Sequence, residues 1–206
     1  MTKTNEIDNF INSVEGYAER FNENKYPDAY LFSAYEIADD LKQTDQIDKA
    51  FQQHEAHNEC PICKIKDAVH WKWYGVPKDQ NLMNAFECAL KNKDKWKDDD
   101  TGDKLYSHLT TQCKMPQVTA AFITHVFFPD KAPIVDQHTK RAIRNLYGIK
   151  RVTYKGFKNK FNELDEKLKE CKNMKNKNDR ERRRLLDKAL FVYGKGLNEK
   201  NNPTNR

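Results

Sequence analysis

Apolar residues recur along this chain at intervals of three and four, the spacing that lines them up on one side of a helix. Ile7, Phe10, Ile11 and Val14 form the first such stripe, and beyond the break at Pro27-Asp28 a second runs through Leu31, Ala34, Tyr35 and Ala38. A third segment, from about Asp48 into Trp73, is interrupted near Pro61, carries Ile62, Ile65 and Val69 on one face, and closes at Gly75-Val76-Pro77. Leu82, Phe86, Ala89 and Leu90 mark a fourth helix. The charged run from Lys91 to Lys104 turns at Thr101-Gly102 and reads as an exposed connection before a short helix holding Leu105 and Leu109. Residues 118 to 128 are nearly all apolar, Pro129-Asp130 and Pro133 end that stretch, and an amphipathic helix is expected from Asp136 to Gly148. Phe161, Leu164 and Leu168 predict a further helix, 172 to 178 an Asn/Lys-rich linker, and Leu185, Leu186, Ala189, Leu190 and Tyr193 a last helix ending at Gly194. Strand-type alternation is absent, so the fold class is all-α, without an internal repeat and with low-complexity tails.

Composition sharpens this picture. A chain of 206 residues with eleven Phe, nine Tyr and three Trp can bury one sizeable core or two small lobes, despite a charged fraction of 33%. No apolar run reaches membrane-spanning length, and the opening MTKTNEIDNF lacks the basic lead and apolar stretch of a signal peptide, so no membrane is expected. Five cysteines, at 60, 63, 88, 113 and 171, form no dense framework and fit an intracellular, reducing compartment. The net charge of +6 is uneven: residues 150–206 hold 18 Lys/Arg against 8 Asp/Glu, a net +10. Such a basic C-terminal segment suits contact with phosphates, although a solvated helix face rich in Lys is an alternative reading.

One stretch carries chemistry. Leu109 to Ala142 holds a Lys114-Met115-Pro116 turn, the small residues Thr119-Ala120-Ala121, and, about fifteen residues on, Pro133-Ile134-Val135-Asp136-Gln137-His138-Thr139-Lys140-Arg141-Ala142. This pattern resembles the helix-hairpin-helix, Gly/Pro-Asp superfamily of DNA glycosylases, particularly its distant members that are similar to oxoguanine glycosylases. The stretches Val69-His70-Trp71-Lys72-Trp73 and Arg183 to Gly194 add to that likeness. The resemblance implies a two-lobed helical bundle with lobes of about 1–30 plus 135–206 and 31–134, and a hairpin motif at 105–128. It also implies double-stranded DNA as partner. In that family the hairpin holds a phosphate through backbone N–H groups, and the Asp after the Pro-rich loop faces the extracted nucleotide. The corresponding contacts here are Lys114, Met115, Gln117, Val118 and Thr119 at the hairpin, His138, Lys140 and Arg141 beyond it, and Asp136 as the catalytic carboxylate.

Departures from the family pattern refine the expectation. Lys114-Met115-Pro116 replaces the usual Gly-hydrophobic-Gly, and Val118 stands where bifunctional members place a lysine. An amine nucleophile is therefore not expected, and the implied activity is monofunctional: an oxocarbenium-like sugar, stabilised by Asp136, would be attacked by water. Extrusion of the nucleotide needs an aromatic or apolar pocket, for which Trp71, Trp73 and Phe128 are available. Each residue also has a plainer role. Asp136 would serve as a helix N-cap, at least one of the two Trp as a core anchor, and His138, Lys140 and Arg141 as surface residues. His54, His57, Cys60 and Cys63 share a three-residue interval, but steps of three along one helix do not converge on a tetrahedral centre and the usual second cysteine pair is missing. No metal and no cofactor are expected. A non-enzymatic DNA-binding module and a metal-binding interaction protein remain the alternatives.

Overall fold

The computed structural model describes residues 3–22, 85, 88–89, 92–96, 98–99 and 101–201. The expected second and third helices lie outside them, as do His54, His57, Cys60, Cys63, Trp71 and Trp73. Among the described residues every regular element is helical and no strand occurs. No described helix is long and apolar enough to cross a membrane. The chain divides into two compact units, Met1–Asn22 with Pro133–Arg206, and Glu23–Ala132.

In the first unit, α1 (Lys3–Asn12) and α2 (Val14–Ala18) follow the first apolar stripe, which buries Phe10, Ile11, Val14 and Ala18. Three longer helices complete it: α3 (Gln137–Tyr147), α4 (Tyr154–Lys169) and α5 (Asp179–Asn201). Helix α5 packs mainly on α3 and α2. Gly148, in the left-handed conformation at φ 65°, ends α3 as the sequence predicts, because glycine adopts that conformation without a Cβ clash. The helix around Phe161 starts earlier than its apolar stripe, at Tyr154, where the Thr153 side chain caps the Gly156 amide. The linker at 172–178 contains a 3-10 turn, Lys172–Met174, and buries Met174.

Gly194 does not end the last helix, which continues to Asn201. A Cβ at Gly194 would run into the backbone carbonyl of His138 and sit 3.2 Å from the Ala142 nitrogen. Glycine costs a helix interior about 1 kcal/mol relative to alanine. Here it lets α5 approach the backbone of α3.

The basic C-terminal segment also turns partly inward. Arg182 and Arg183 are only 3% and 6% exposed, and both bond the buried carboxylate of Asp165 on α4, at 2.7 Å and 3.2 Å. The hydrogen bond to Asp165 pushes the Arg182 guanidinium up and keeps it charged against the desolvation that opposes this. The Arg183 guanidinium additionally lies 4.8 Å from the Phe161 ring centroid. These two arginines are core ion-pair partners, so they are not among the exposed cations that a phosphate contact by the basic segment would use.

In the second unit, α6 (Asp103–Thr111) and α7 (Gln117–Phe127) pack against each other across a short turn. Thr119 to Phe127 are all buried, as an almost wholly apolar segment requires. The charged run before α6 differs from its expected exposed character, because Trp96 is 5% exposed and Asp99 4%. Trp96 donates its indole N–H to the Ala89 carbonyl at 3.1 Å, and Asp99 accepts the Lys104 and Leu105 amides at 2.8 Å and 3.2 Å. Asp99 thus satisfies amides of the first turn of α6 that no side chain of the adjoining Gly102 could reach.

Candidate functional site

Asp136 is the N-cap of α3, in extended backbone at φ −135°. Its Oδ1 accepts the His138 amide at 2.7 Å and the Thr139 amide at 2.8 Å, while the Thr139 hydroxyl accepts the Asp136 amide at 2.9 Å. This reciprocal capping box fixes the carboxylate at the positive end of an eleven-residue helix. The local sequence accounts for it, since a carboxylate at the cap and a hydroxyl three residues on are within reach only when the intervening turn is helical.

The loop before Asp136 is held from a distant part of the chain. Asp187, buried on α5, accepts the Ile134 amide through Oδ2 at 3.0 Å. Nothing local to Ile134 announces this bond; the signal was an acidic residue beside Leu186 on an otherwise apolar face. Val135 is buried, and Asp136 itself is half-buried.

The residues after the cap are engaged with α5. The His138 ring meets Phe191 edge-on, with centroids 4.9 Å apart. Arg141 donates from Nη1 to the Gly194 carbonyl at 3.0 Å, which assigns that guanidinium a structural bond. Lys140 is half-buried on the same helix. Asn145 donates to the Tyr193 hydroxyl at 2.7 Å, and Tyr193 closes an aromatic cluster with Phe10 and Tyr17. Burial pushes the Tyr193 phenol up.

The second unit presents a different helix start. Among the described residues Lys114 is the non-glycine residue with positive φ, 56°, at a position where the resemblance would place a glycine. It is exposed, and the turn is anchored by the Met115 amide donating to the Leu109 carbonyl at 2.9 Å. Pro116 precedes α7 without a side-chain cap, Gln117 is exposed and Val118 half-buried. Thr119 is buried, so its side chain is not among the groups exposed at this helix start. Phe128 ends α7 half-buried, its ring 6.4 Å from that of Phe127. It also borders Gly102, where a Cβ would come within 3.3 Å of the Phe128 ring.

Among the described residues no group of three or more His, Cys, Asp or Glu side chains is placed to hold a metal ion. No protein-family model, no curated protein and no solved structure matches the chain.

Proposed function

We propose that the chain is a DNA-binding, base-excising protein, a monofunctional DNA N-glycosylase in which Asp136 stabilises the cationic sugar and assists attack by water. The observation that carries this reading is a half-buried carboxylate held in one orientation by its own helix start, with the preceding loop tied down by Asp187. A preorganised negative charge is what an oxocarbenium-like transition state needs, because no reorganisation is then required as the positive charge develops. The uncapped start of α7 behind Lys114 and Pro116 supplies backbone amides of the kind that bind phosphate. With Val118 in place of an amine, water is the nucleophile and the product is an intact abasic strand.

Single-turnover assays on a panel of duplexes carrying damaged or modified bases test the proposal. Asp136→Asn is expected to retain fold and duplex binding, since Asn caps a helix about as well as Asp, and to lose excision. A covalent adduct trapped by borohydride, or an Asp136→Asn variant excising at the parent rate, overturns it. Duplex binding should weaken steeply with added salt as phosphate counterions are displaced.

A second reading has its own support. The capping box explains Asp136 without catalysis, which favours a DNA-binding module that performs no turnover. Under that reading the chain binds duplex in a salt-dependent manner and no duplex in the panel is cleaved at a glycosidic bond.

A further inference from the structure

We propose that the turn joining α3 to α4, with Arg144, Lys150, Arg151 and Lys155, is a binding surface for the sugar-phosphate backbone of duplex DNA. The inference rests on the DNA-binding reading above and gives that reading a contact in the first unit. Residues 137–162 hold eight Lys/Arg and no Asp or Glu, whereas residues 163–181 hold six of each. Positive charge is therefore gathered around this turn, while acids offset it in the stretch that follows. Four of the eight cations are engaged or covered: Arg141 donates to the Gly194 carbonyl at 3.0 Å, Lys160 bonds Glu163 at 2.8 Å, Lys158 is buried and Lys140 half-buried. The other four are exposed, and among the described residues none of them forms an ion pair.

Acids at the margins of this surface are already taken. Lys3 bonds Glu6 at 2.9 Å and also reaches the Asn145 carbonyl at the end of α3, at 3.1 Å, and Lys160 holds Glu163. The turn is fixed at both ends, because the Ile149 amide donates to the Arg144 carbonyl at 3.0 Å and the Tyr147 hydroxyl to the Lys160 carbonyl at 3.3 Å. Lys155 stands in the first turn of a sixteen-residue helix, the positive end of its dipole, and no acidic residue accompanies it there. A cation kept against that local preference is suited to an anion from outside the chain. Charges spread over the last turn of α3, the connecting turn and the first turn of α4 match a repeating polyanion better than a single phosphate. A bilayer fits less well, since the apolar residues of the turn, Ile149 and Val152, are half-buried and do not stand out to enter a headgroup layer. The turn lies at the far end of α3 from Asp136, about 16 Å away by helix rise. A backbone held there sets the register of the duplex against that carboxylate without touching a base.

The test measures binding of the full chain to a labelled duplex by fluorescence anisotropy across a salt series. One variant carries Arg144→Gln, Lys150→Gln, Arg151→Gln and Lys155→Gln; a control removes as many charges through Lys169→Gln, Lys172→Gln, Lys175→Gln and Lys177→Gln. The first should make the slope of log affinity against log salt shallower by about three to four and lower affinity on the order of 100-fold at about 0.1 M salt, with the control close to the parent. Lys155→Gln alone should take about one from the slope, and Arg144→Lys with Arg151→Lys should bind as the parent does, because charge is conserved. Equal slopes in the parent and the first variant, or equal losses in the two fourfold variants, overturn the proposal and leave the parent's DNA binding standing. A parent that binds no duplex at low salt removes the functional reading together with this surface. If the parent partitions onto phosphatidylserine vesicles and the first variant does not, with duplex binding unchanged between them, the surface belongs to a membrane and the proposal falls.

Discussion

Helices α3 and α7 begin in opposite ways. The start of α3 is closed by the chain's own atoms: Asp136 occupies the His138 and Thr139 amides, Arg141 reaches the Gly194 carbonyl, and α5 lies so close that only a glycine fits at position 194. The start of α7 has a proline at the cap position, a lysine in a left-handed conformation and an exposed Gln117, although every residue from Thr119 to Phe127 is buried. A buried helix body therefore says little about its end. Closure depends on whether a side chain with an acceptor stands at the cap, and the two cap residues, Asp136 and Pro116, differ in that respect. The same contrast governs the cations. Arg182 and Arg183 point into the first unit and meet Asp165, whereas Lys114 of the second unit is exposed.

Substitutions at four positions put this contrast at risk. Asp165→Ala should have the largest effect, a loss of about 3–5 kcal/mol in urea denaturation, because it leaves Arg182 and Arg183 buried without their shared carboxylate. A loss under about 1 kcal/mol would mean that these arginines readily turn to solvent, and would restore them as candidates for phosphate contact. Gly194→Ala comes next. Its methyl group meets the His138 carbonyl, so thermal unfolding should report a destabilisation on the order of 1–3 kcal/mol despite alanine's better helix propensity. A stabilised variant would show that α5 does not press on the start of α3.

Asp136→Ala should cost about 1 kcal/mol through loss of the cap, and Asp136→Asn close to nothing. Equal losses in both variants would indicate that charge at the helix end, rather than hydrogen bonding, carries the stabilisation. The smallest effect belongs to the other helix start. Lys114→Gly relieves a side chain held at φ 56° but widens the unfolded ensemble, so a net gain of roughly 0.5 kcal/mol is expected in the same denaturation assay. A clear loss would mean that the Lys114 side chain contributes to folding.

The chain's own pattern of residues determined whatever depends on neighbours in sequence. The apolar spacing located α1, α3, α6 and α7, Gly148 marked the end of α3, and Asp136 with Thr139 carried the cap within a single helical turn. Periodicity and capping are short-range effects, set by backbone geometry over four residues, so they are legible without a fold. Tertiary structure alone decided the remainder. Asp187 supports the Ile134 amide across 53 residues, Asp165 draws in arginines 17 and 18 residues away, and Trp96 and Asp99 are buried within a run of charges that reads as solvated surface. Gly194 looks like a helix terminator because glycine is favoured just beyond helix ends; only the carbonyl of His138 lying against it reveals a crossing point. These features rest on which groups meet across the chain, and a buried polar residue keeps its charge or its hydrogen bond only where a distant partner happens to be brought alongside.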